Sequence, residues 1–282
     1  MSEKPVVIAQ SVEYAEAAEA LAQRLGVPCA VGACNGTSDG VVLRLGRDGL
    51  ALCGPEGELQ VNLTRMIPRL LQRNLASELL VKAAKVKGDR TKMLAVDATA
   101  GFGEDALLLA AAGFRVRMYE RNPYIAELLA DAMRRAMSGS EALCCAEATG
   151  PSTMPEETVA AENRQNAARD SMLAEIVARM ELVCGDSIPA LAGMEPAPDV
   201  ILLDPMFPER TKSAAVRKKF QLLHHLEEPC ADGEELLAAA IAAHPRRIIV
   251  KRPVKGEFLA GVKPSYSLIG KAVRVDVILP RG

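Results

Sequence analysis

The sequence of 282 residues contains no tryptophan, and its aromatic side chains are limited to four tyrosines and five phenylalanines. Alanine, leucine and valine must therefore fill most of the core. The apolar stretches end well short of the length that spans a bilayer, and residues 1–5 lack the basic start and apolar run of a signal peptide. We expect a cytoplasmic protein with no membrane partner.

The cysteines are too scattered for a disulfide framework or a zinc site. None of the seven stands in a CxxC pair or beside a partnering CxxH. We expect small thiols in a reducing compartment and no bound metal. His224 and His225 have no carboxylate and serine partners in view, so no Ser-His-Asp triad is expected either.

Acidic residues are scarce in three segments, although the net charge is only −2. Val61–Lys92 has eight basic residues against two acidic ones, while Arg210–Phe220 and Pro245–Lys255 each have five basic residues and no acidic one. Solvated helix faces could explain any one segment, but the three together favour a surface that binds phosphate groups. The candidate RNA contacts are Arg65, Arg69, Arg73, Arg210, Lys212, Lys251 and Arg252.

The chain divides by pattern into three parts. Residues 1–60 predict a small α+β region in which Gly46 to Gly49 forms a hairpin turn. Residues 61–91 predict a basic helical connector, a helix from about Pro68 to Val86, with Arg65, Arg69 and Arg73 stacked on one face. Residues 92–282 form the main domain.

In the main domain apolar strands alternate with helical patterns, which predicts an α/β, doubly wound, Rossmann-like parallel sheet. The predicted strands are Met93–Asp97, Arg115–Glu120, Glu181–Cys184, Val200–Asp204, Arg246–Lys251 and Val273–Leu279. The predicted helices are Glu104–Ala112, Tyr124–Met137, Asn166–Met180 and Gly233–Ala243. Residues 138–165, nearly free of large apolar groups, are predicted to be a mobile insertion.

A glycine-rich turn follows the first of these strands. Asp97 ends the strand, and Gly101 and Gly103 would let backbone N–H groups approach a ligand. Glu120 ends the next strand, where a carboxylate can accept hydrogen bonds from both ribose hydroxyls. The third glycine of a dinucleotide motif is absent, and so is a Gly-Lys-Ser/Thr phosphate loop, which favours S-adenosylmethionine, an adenosine without phosphate. Asp186 could then reach the adenine amine, with Ser187 beside it.

The run Asp204-Pro205-Met206-Phe207 ends an apolar strand about a hundred residues later. An aromatic amine is a poor nucleophile, so it must be held and polarised for methylation. The Asp204 carboxylate can accept an amine hydrogen, and Phe207 can stack on an extruded base. A plain strand-ending turn is the alternative. Together with the glycine turn, this run predicts methyl transfer to a base.

Several of these runs occur together in one known family. The sequence resembles the RsmJ-type small-subunit ribosomal RNA guanine-N(2) methyltransferases in Asp97–Asp105, Tyr119–Pro123, Leu203–Pro208, Lys212–Ala214 and Val250–Pro253. The resemblance covers about residues 86–279. It implies a class I methyltransferase fold, S-adenosylmethionine as donor and 16S ribosomal RNA in the small ribosomal subunit as substrate. It also implies cofactor contacts at Glu104, Asp105, Glu120, Arg121, Asp186, Ser187 and Asp204.

Two alternatives stay open at the level of sequence. The acceptor could be an adenine, a cytosine or a protein amide, although Met206 replaces the second proline of the turns that serve those acceptors. The chain could also be an RNA-binding protein without activity that keeps a degenerate cofactor fold. The oligomeric state and the exact target nucleotide do not follow from the sequence.

Overall fold

The computed structural model describes residues 5–32, 40–139, 156–205, 222, 226 and 232–280. Its strands form two sheets, one of five strands and one of seven. Within the described ranges no helix is long and apolar enough to cross a membrane. Phe207, Arg210 and Lys212 lie outside these ranges, as do residues 140–155 of the predicted insertion.

The smaller sheet is built from residues near the N-terminus, in the order β2-β1-β3-β4-β5. Its strands are β1 (Val6–Ala9), β2 (Cys29–Val31), β3 (Val42–Gly46), β4 (Gly49–Gly54) and β5 (Gly57–Gln60). β1 pairs in parallel with β2 and β3, whereas β3, β4 and β5 are antiparallel neighbours. Helix α1 (Ala15–Leu25) ends at Gly26, whose φ of 64° gives a left-handed cap. The predicted hairpin is confirmed, because Gly46 pairs with Gly49.

The predicted continuous basic helix after this sheet is wrong. Three short helices replace it: α2 (Ile67–Leu70), α3 (Gln72–Leu75) and α4 (Leu79–Ala83). Leu71 and Glu78 have ψ angles of 132° and 130°, which interrupt the helical hydrogen bonds. The turning chain buries Leu70 and Leu80. Burial of these leucines outweighs the helical preference that the four-residue spacing of the arginines predicted. Arg65, Arg69 and Arg73 therefore share no continuous helix face.

The larger sheet has the order β11-β12-β10-β9-β6-β7-β8. Its strands are β6 (Leu94–Asp97), β7 (Arg115–Glu120), β8 (Met180–Cys184), β9 (Val200–Leu203), β10 (Arg247–Pro253), β11 (Tyr266–Ile269) and β12 (Val273–Ile278). β6 to β10 run parallel, and β12 is antiparallel to both β10 and β11. The predicted doubly wound α/β fold is confirmed, with β11 as a strand that the sequence pattern did not reveal.

The helices around this sheet are α5 (Glu104–Ala111), α6 (Pro123–Ser138), α7 (Glu156–Val177), α8 (Ser187–Ala192) and α9 (Gly233–Ala242). Asn122 caps α6 by accepting hydrogen bonds from the N–H groups of Tyr124 and Ile125. Helix α7 begins within the segment predicted to be an insertion and ends before Met180. The reason is that residues 156–165 consist mainly of Glu, Ala, Gln and Asn, most of which favour a helix over a loop.

One hydrophobic core runs through both sheets, from Val7 and Leu43 to Leu107 and Val275. The contact between the two parts is also polar, since the buried Asp131 of α6 accepts a hydrogen bond of 2.9 Å from the Leu50 N–H. Arg135 pairs with Asp131 at 2.7 Å and donates to the Val61 carbonyl. The smaller sheet is therefore fixed against α6.

The strand order reverses between β6 and β9. The chain moves outward from β6 to β7 and β8, then crosses back to β9 on the other side of β6. Ala98 N–H donates to the Leu202 carbonyl at 3.0 Å, which ties the two strand ends together. In an open parallel sheet a ligand crevice forms at the carboxyl ends of the strands beside such a reversal.

Candidate active site at the reversal between β6 and β9

The loop that follows β6 turns tightly on two glycines. Gly101 and Gly103 have φ angles of 53° and 72°, the left-handed region that favours glycine. Gly103 donates to the Ala100 carbonyl at 2.8 Å, and Ala100 donates to the Tyr119 carbonyl at 3.0 Å. The predicted glycine turn thus lies between β6 and α5, against the end of β7.

Glu120, at the end of β7, holds this loop through its carboxylate. One oxygen accepts from the Gly101 N–H at 2.8 Å, and the other accepts from the Asn122 N–H at 2.8 Å. Only 6% of the residue is exposed. Burial raises the pKa of Glu120, and the two backbone N–H groups oppose that rise. Each oxygen accepts one backbone bond and keeps acceptor capacity for a ligand hydroxyl.

Asp204 follows β9 on the opposite side of the reversal. Its backbone N–H donates to the Thr99 hydroxyl at 2.7 Å, so the loop after β6 fixes the chain at the start of the Asp-Pro turn. Its side chain is 40% exposed. Thr99 did not emerge from the sequence analysis, because a threonine inside a glycine-rich turn carries no signal of a partner 105 residues away.

Lys251 of β10 joins two of the predicted site residues. Its ammonium lies 2.7 Å from Asp204 Oδ2 and also donates to Asp105 Oδ2. Burial opposes the positive charge, but Asp105 and Asp204 outweigh it and raise the Lys251 pKa. Asp105 lies in the first turn of α5, so Lys251 connects the cofactor loop with the strand that carries Asp204.

Comparison with known proteins agrees with this geometry. A family model described as "Putative SAM-dependent methyltransferase" matches residues 38–148 and 158–280. The ribosomal RNA small subunit methyltransferase J of Thioalkalivibrio sulfidiphilus (strain HL-EbGR7) is 39% identical over 95% of this chain and 96% of its own. The enzyme of that name from Pseudomonas aeruginosa (strain UCBPP-PA14) is 34% identical over 96% and 93%.

The chain belongs to the ribosomal RNA small subunit methyltransferase J family. A solved S-adenosylmethionine-dependent methyltransferase from Neisseria gonorrhoeae shares its fold, with a TM-score of 0.65, 27% identity and coverage of 98% of this chain and 96% of that one. The predicted family and cofactor are confirmed. The cofactor of this methyltransferase is S-adenosylmethionine.

The residues of the methyltransferase site fit an adenosyl ligand. A Cβ built at Gly101 meets no atom within 4 Å, so space is open directly above the loop. Glu120 faces this loop with remaining acceptor capacity: backbone N–H groups hold its carboxylate, and the charge of Arg121 lowers its pKa. This arrangement suits ribose hydroxyls and does not resemble a cradle for phosphate groups.

Asp97 adds a second buried carboxylate to the methyltransferase site. It is 1% exposed, and its only backbone donor in the described contacts is the Thr99 N–H at 3.1 Å. Burial, reinforced by repulsion from Asp105, raises its pKa to about 8, while the Thr99 hydrogen bond and Lys251 act in the opposite direction. The Lys251 ammonium thus pairs with Asp105 and Asp204, and its charge also lowers the pKa of Asp97.

The remaining predicted cofactor residues border the same crevice. Asp186 caps α8 through the Ile188 N–H at 2.9 Å, and Ser187 beside it is buried. Glu104 is exposed at the start of α5. Arg121 pairs with Asp232 at 2.7 Å, which connects the end of β7 with the start of α9. Asp232 is a crevice residue that the sequence analysis missed.

The predicted RNA contacts are dispersed. Arg65, Arg69 and Arg73 are exposed, and Arg69 pairs with Glu78 at 2.8 Å. Lys251 points into the carboxylate cluster, so it does not lie on a phosphate-facing surface as predicted. Arg252 is only 8% exposed and donates to the Glu257 carbonyl. These neighbouring residues of β10 lie on opposite faces of the sheet, with Arg252 buried and Lys251 partly buried.

Proposed function

We propose that this protein transfers a methyl group from S-adenosylmethionine to the exocyclic amine of a guanine in 16S ribosomal RNA, in the cytoplasm. Its relatives carry the name ribosomal RNA small subunit methyltransferase J, which supports ribosomal RNA of the small subunit as the substrate. The resemblance of Asp204-Pro205-Met206-Phe207 to the guanine-N(2) enzymes supports the amine as acceptor.

The observation that carries the proposal is the position of Asp204 across the strand reversal from the glycine loop. Thr99 holds its backbone and Lys251 holds one of its carboxylate oxygens, Oδ2. A carboxylate has several acceptor positions, so Asp204 can also accept a hydrogen from an incoming amine. The partial exposure of the side chain leaves it accessible to a substrate from solvent.

The cofactor side of the crevice has its own set of residues. We assign the ribose hydroxyls to Glu120, the adenine to Asp186 and Ser187, and the remainder of the cofactor to the loop from Asp97 through Gly101 and Gly103. Glu104, Asp105 and Arg121 complete the cofactor-binding set. These side chains surround one crevice, so they can orient a donor toward the Asp204 side of the reversal.

The chemistry follows from the two sides of the crevice. Bound S-adenosylmethionine would supply an electrophilic methyl group, the S-adenosylhomocysteine that remains would be a neutral thioether, and the methylated amine would release one proton to solvent by way of Asp204. Asp204 accepts one amine hydrogen and thereby orients the nitrogen lone pair, which the aromatic ring otherwise withdraws. Lys251 is a positioning residue that restricts the rotation of Asp204. Phe207, which follows two residues after Pro205, is proposed to stack on the extruded base.

Asp204→Ala tests this role. We expect S-adenosylmethionine to bind within about threefold of the wild-type affinity and methyl transfer to fall by about 100-fold, in the range for loss of one positioned polar group. Undiminished transfer would overturn the role. The matched control is Asp199→Ala at the other end of β9, since the Asp199 carboxylate also pairs with a basic side chain, Arg246, and accepts the Leu94 N–H.

A further inference from the structure

Six exposed basic residues of the described chain lie at the edge of the larger sheet that is opposite the active site. Strands β6, β7, β8, β9 and β10 begin at this edge and end at the crevice. Exposed basic side chains stand in the segments that lead into these strands. We call these six residues the basic edge: Lys85, Lys87, Lys92, Arg115, Arg179 and Arg246.

Hydrogen bonds between the segments hold the basic edge together. Arg246 donates to the Lys87 carbonyl at 2.9 Å, and the Arg115 N–H donates to the Met93 carbonyl at 3.1 Å, next to Lys92. The Val116 N–H donates to the Arg179 carbonyl at 2.8 Å. The charges therefore lie on one continuous rim of the fold and do not belong to separate, independently moving loops.

The charge of the two edges differs in sign among the described residues. The crevice edge contains more carboxylates than basic groups, and its acidic residues are Asp97, Glu104, Asp105, Glu120, Asp186 and Asp204. Its best-placed cation, Lys251, is already engaged with two of these carboxylates. The segments that lead into the strands at the basic edge contain three acidic residues, Asp89, Glu195 and Asp199, so the six basic residues outnumber them even though Asp199 pairs with Arg246.

We propose that the basic edge is a second RNA-binding surface, which contacts phosphate groups of the substrate particle at a distance from the methylated base. The inference rests on the proposed ribosomal RNA substrate. Closely spaced Lys and Arg side chains attract a polyphosphate backbone without reading its sequence. A large folded RNA offers backbone on more than one side of a small enzyme, and the carboxylates described at the crevice edge do not attract phosphate groups.

The test compares three variants of matched design. Lys87→Gln, Lys92→Gln and Arg115→Gln in one protein remove three positive charges from the basic edge. Ala17→Glu, Ala20→Glu and Gln23→Glu together change the net charge by the same amount on the exposed face of α1, without touching the Arg24–Glu127 ion pair. Lys87→Arg, Lys92→Arg and Arg115→Lys together retain all three charges and check that the fold tolerates substitution.

The measurements are the dissociation constant for small ribosomal subunits and for protein-free 16S RNA over a series of salt concentrations, and kcat at saturating RNA. For the glutamine variant we expect binding about tenfold weaker to both ligands at ~0.1 M salt and a salt slope smaller by about 2, with kcat unchanged. The α1 and charge-retaining variants should bind as the wild type does.

Unchanged affinity and salt slope in the glutamine variant would overturn the proposal, as would an equal loss in the α1 variant. Weaker binding to the particle with unchanged binding to protein-free RNA would assign the edge to a ribosomal protein and also overturn it. Failure of the wild type to methylate either RNA would instead refute the proposed function, and the binding data would still decide the role of the basic edge.

Discussion

The Lys251 ammonium lies 2.7 Å from Asp204 Oδ2, and this ion pair joins the carboxyl ends of two neighbouring parallel strands. The same ammonium pairs with Asp105 of α5. One buried cation therefore connects the turn that presents the acceptor with the helix that follows the cofactor loop. Removal of this cation should lower the rate of methyl transfer more than the free energy of unfolding, because Asp204 loses the partner that orients its carboxylate.

The pH dependence of methyl transfer tests the role of Lys251. The charged groups that face it are Asp97 from β6, Asp105 from α5 and Asp204 from β9, with Arg69 and Arg252 as more distant cations. Lys251 lowers the pKa of Asp97, so without the ammonium ionisation of Asp97 costs more free energy. In Lys251→Met we expect kcat at pH 7 to fall about 10- to 100-fold and to recover partly toward pH 9.

Lys251→Arg is the matched control, because it keeps a positive charge at this position. Its rate profile should retain the wild-type shape even if kcat is lower. A pH-independent loss in Lys251→Met, of equal size at pH 7 and pH 9, would indicate that Lys251 only supports packing.

Asp97 gives the free energy of unfolding a specific pH dependence. Its folded pKa of about 8 is above that of an unfolded aspartate, so between about pH 4 and pH 8 the folded state binds more protons. Its contribution to stability is therefore present at low pH and lost as pH rises through 8. Asp97→Asn removes the titration, so its stability relative to the wild type should improve from pH 5 to pH 8.5. Denaturant unfolding at several pH values measures this difference, and a difference constant with pH would contradict it.

The two glycines of the loop should respond differently to alanine. At Gly103 a Cβ would lie 2.8 Å from Leu129 Cδ1, in addition to the strain of a left-handed φ, so Gly103→Ala should cost about 2–4 kcal/mol of stability. At Gly101 a Cβ meets nothing within 4 Å, so Gly101→Ala should cost only about 1–2 kcal/mol. Because that methyl group enters the open space above the loop, cofactor affinity should fall more in Gly101→Ala than the stability loss explains.

Thermal unfolding and titration calorimetry with S-adenosylmethionine separate the two effects. Unchanged cofactor affinity in a folded Gly101→Ala protein would place the ligand away from this loop.

The ends of β6, β7 and β9 were predictable because each of these strands stops at or just before an acidic residue. Arg115–Glu120 has the predicted bounds, and β6 and β9 differ from prediction by a single residue at one end. Burial on both faces of a parallel sheet produces this continuous apolar signal. Strand β11 carries exposed and half-buried residues in the pattern Tyr266–Ile269, and it has no comparable signal.

The site was predictable only as separate strand ends. Asp97, Glu120 and Asp204 were identified because each follows its own strand, but their partners depend on the order of the strands in space. Thr99 meets Asp204 only because β6 and β9 are neighbours. The prediction that Arg65, Arg69 and Arg73 lie on one helix face assumed an unbroken helix. The helix is interrupted because the chain turns to bury Leu70 and Leu80.

The most direct test of the account is the identity of the methylated product. Purified protein is incubated with methyl-labelled S-adenosylmethionine and with small ribosomal subunits or 16S RNA that lack the modification, and the RNA is digested to nucleosides for mass spectrometry. We predict label in N2-methylguanosine at one position, incorporated about 100-fold more slowly with Asp204→Ala. Label in methylated adenosine, cytidine or ribosomal protein would contradict the guanine assignment, and no transfer to any acceptor would contradict the enzymatic account itself.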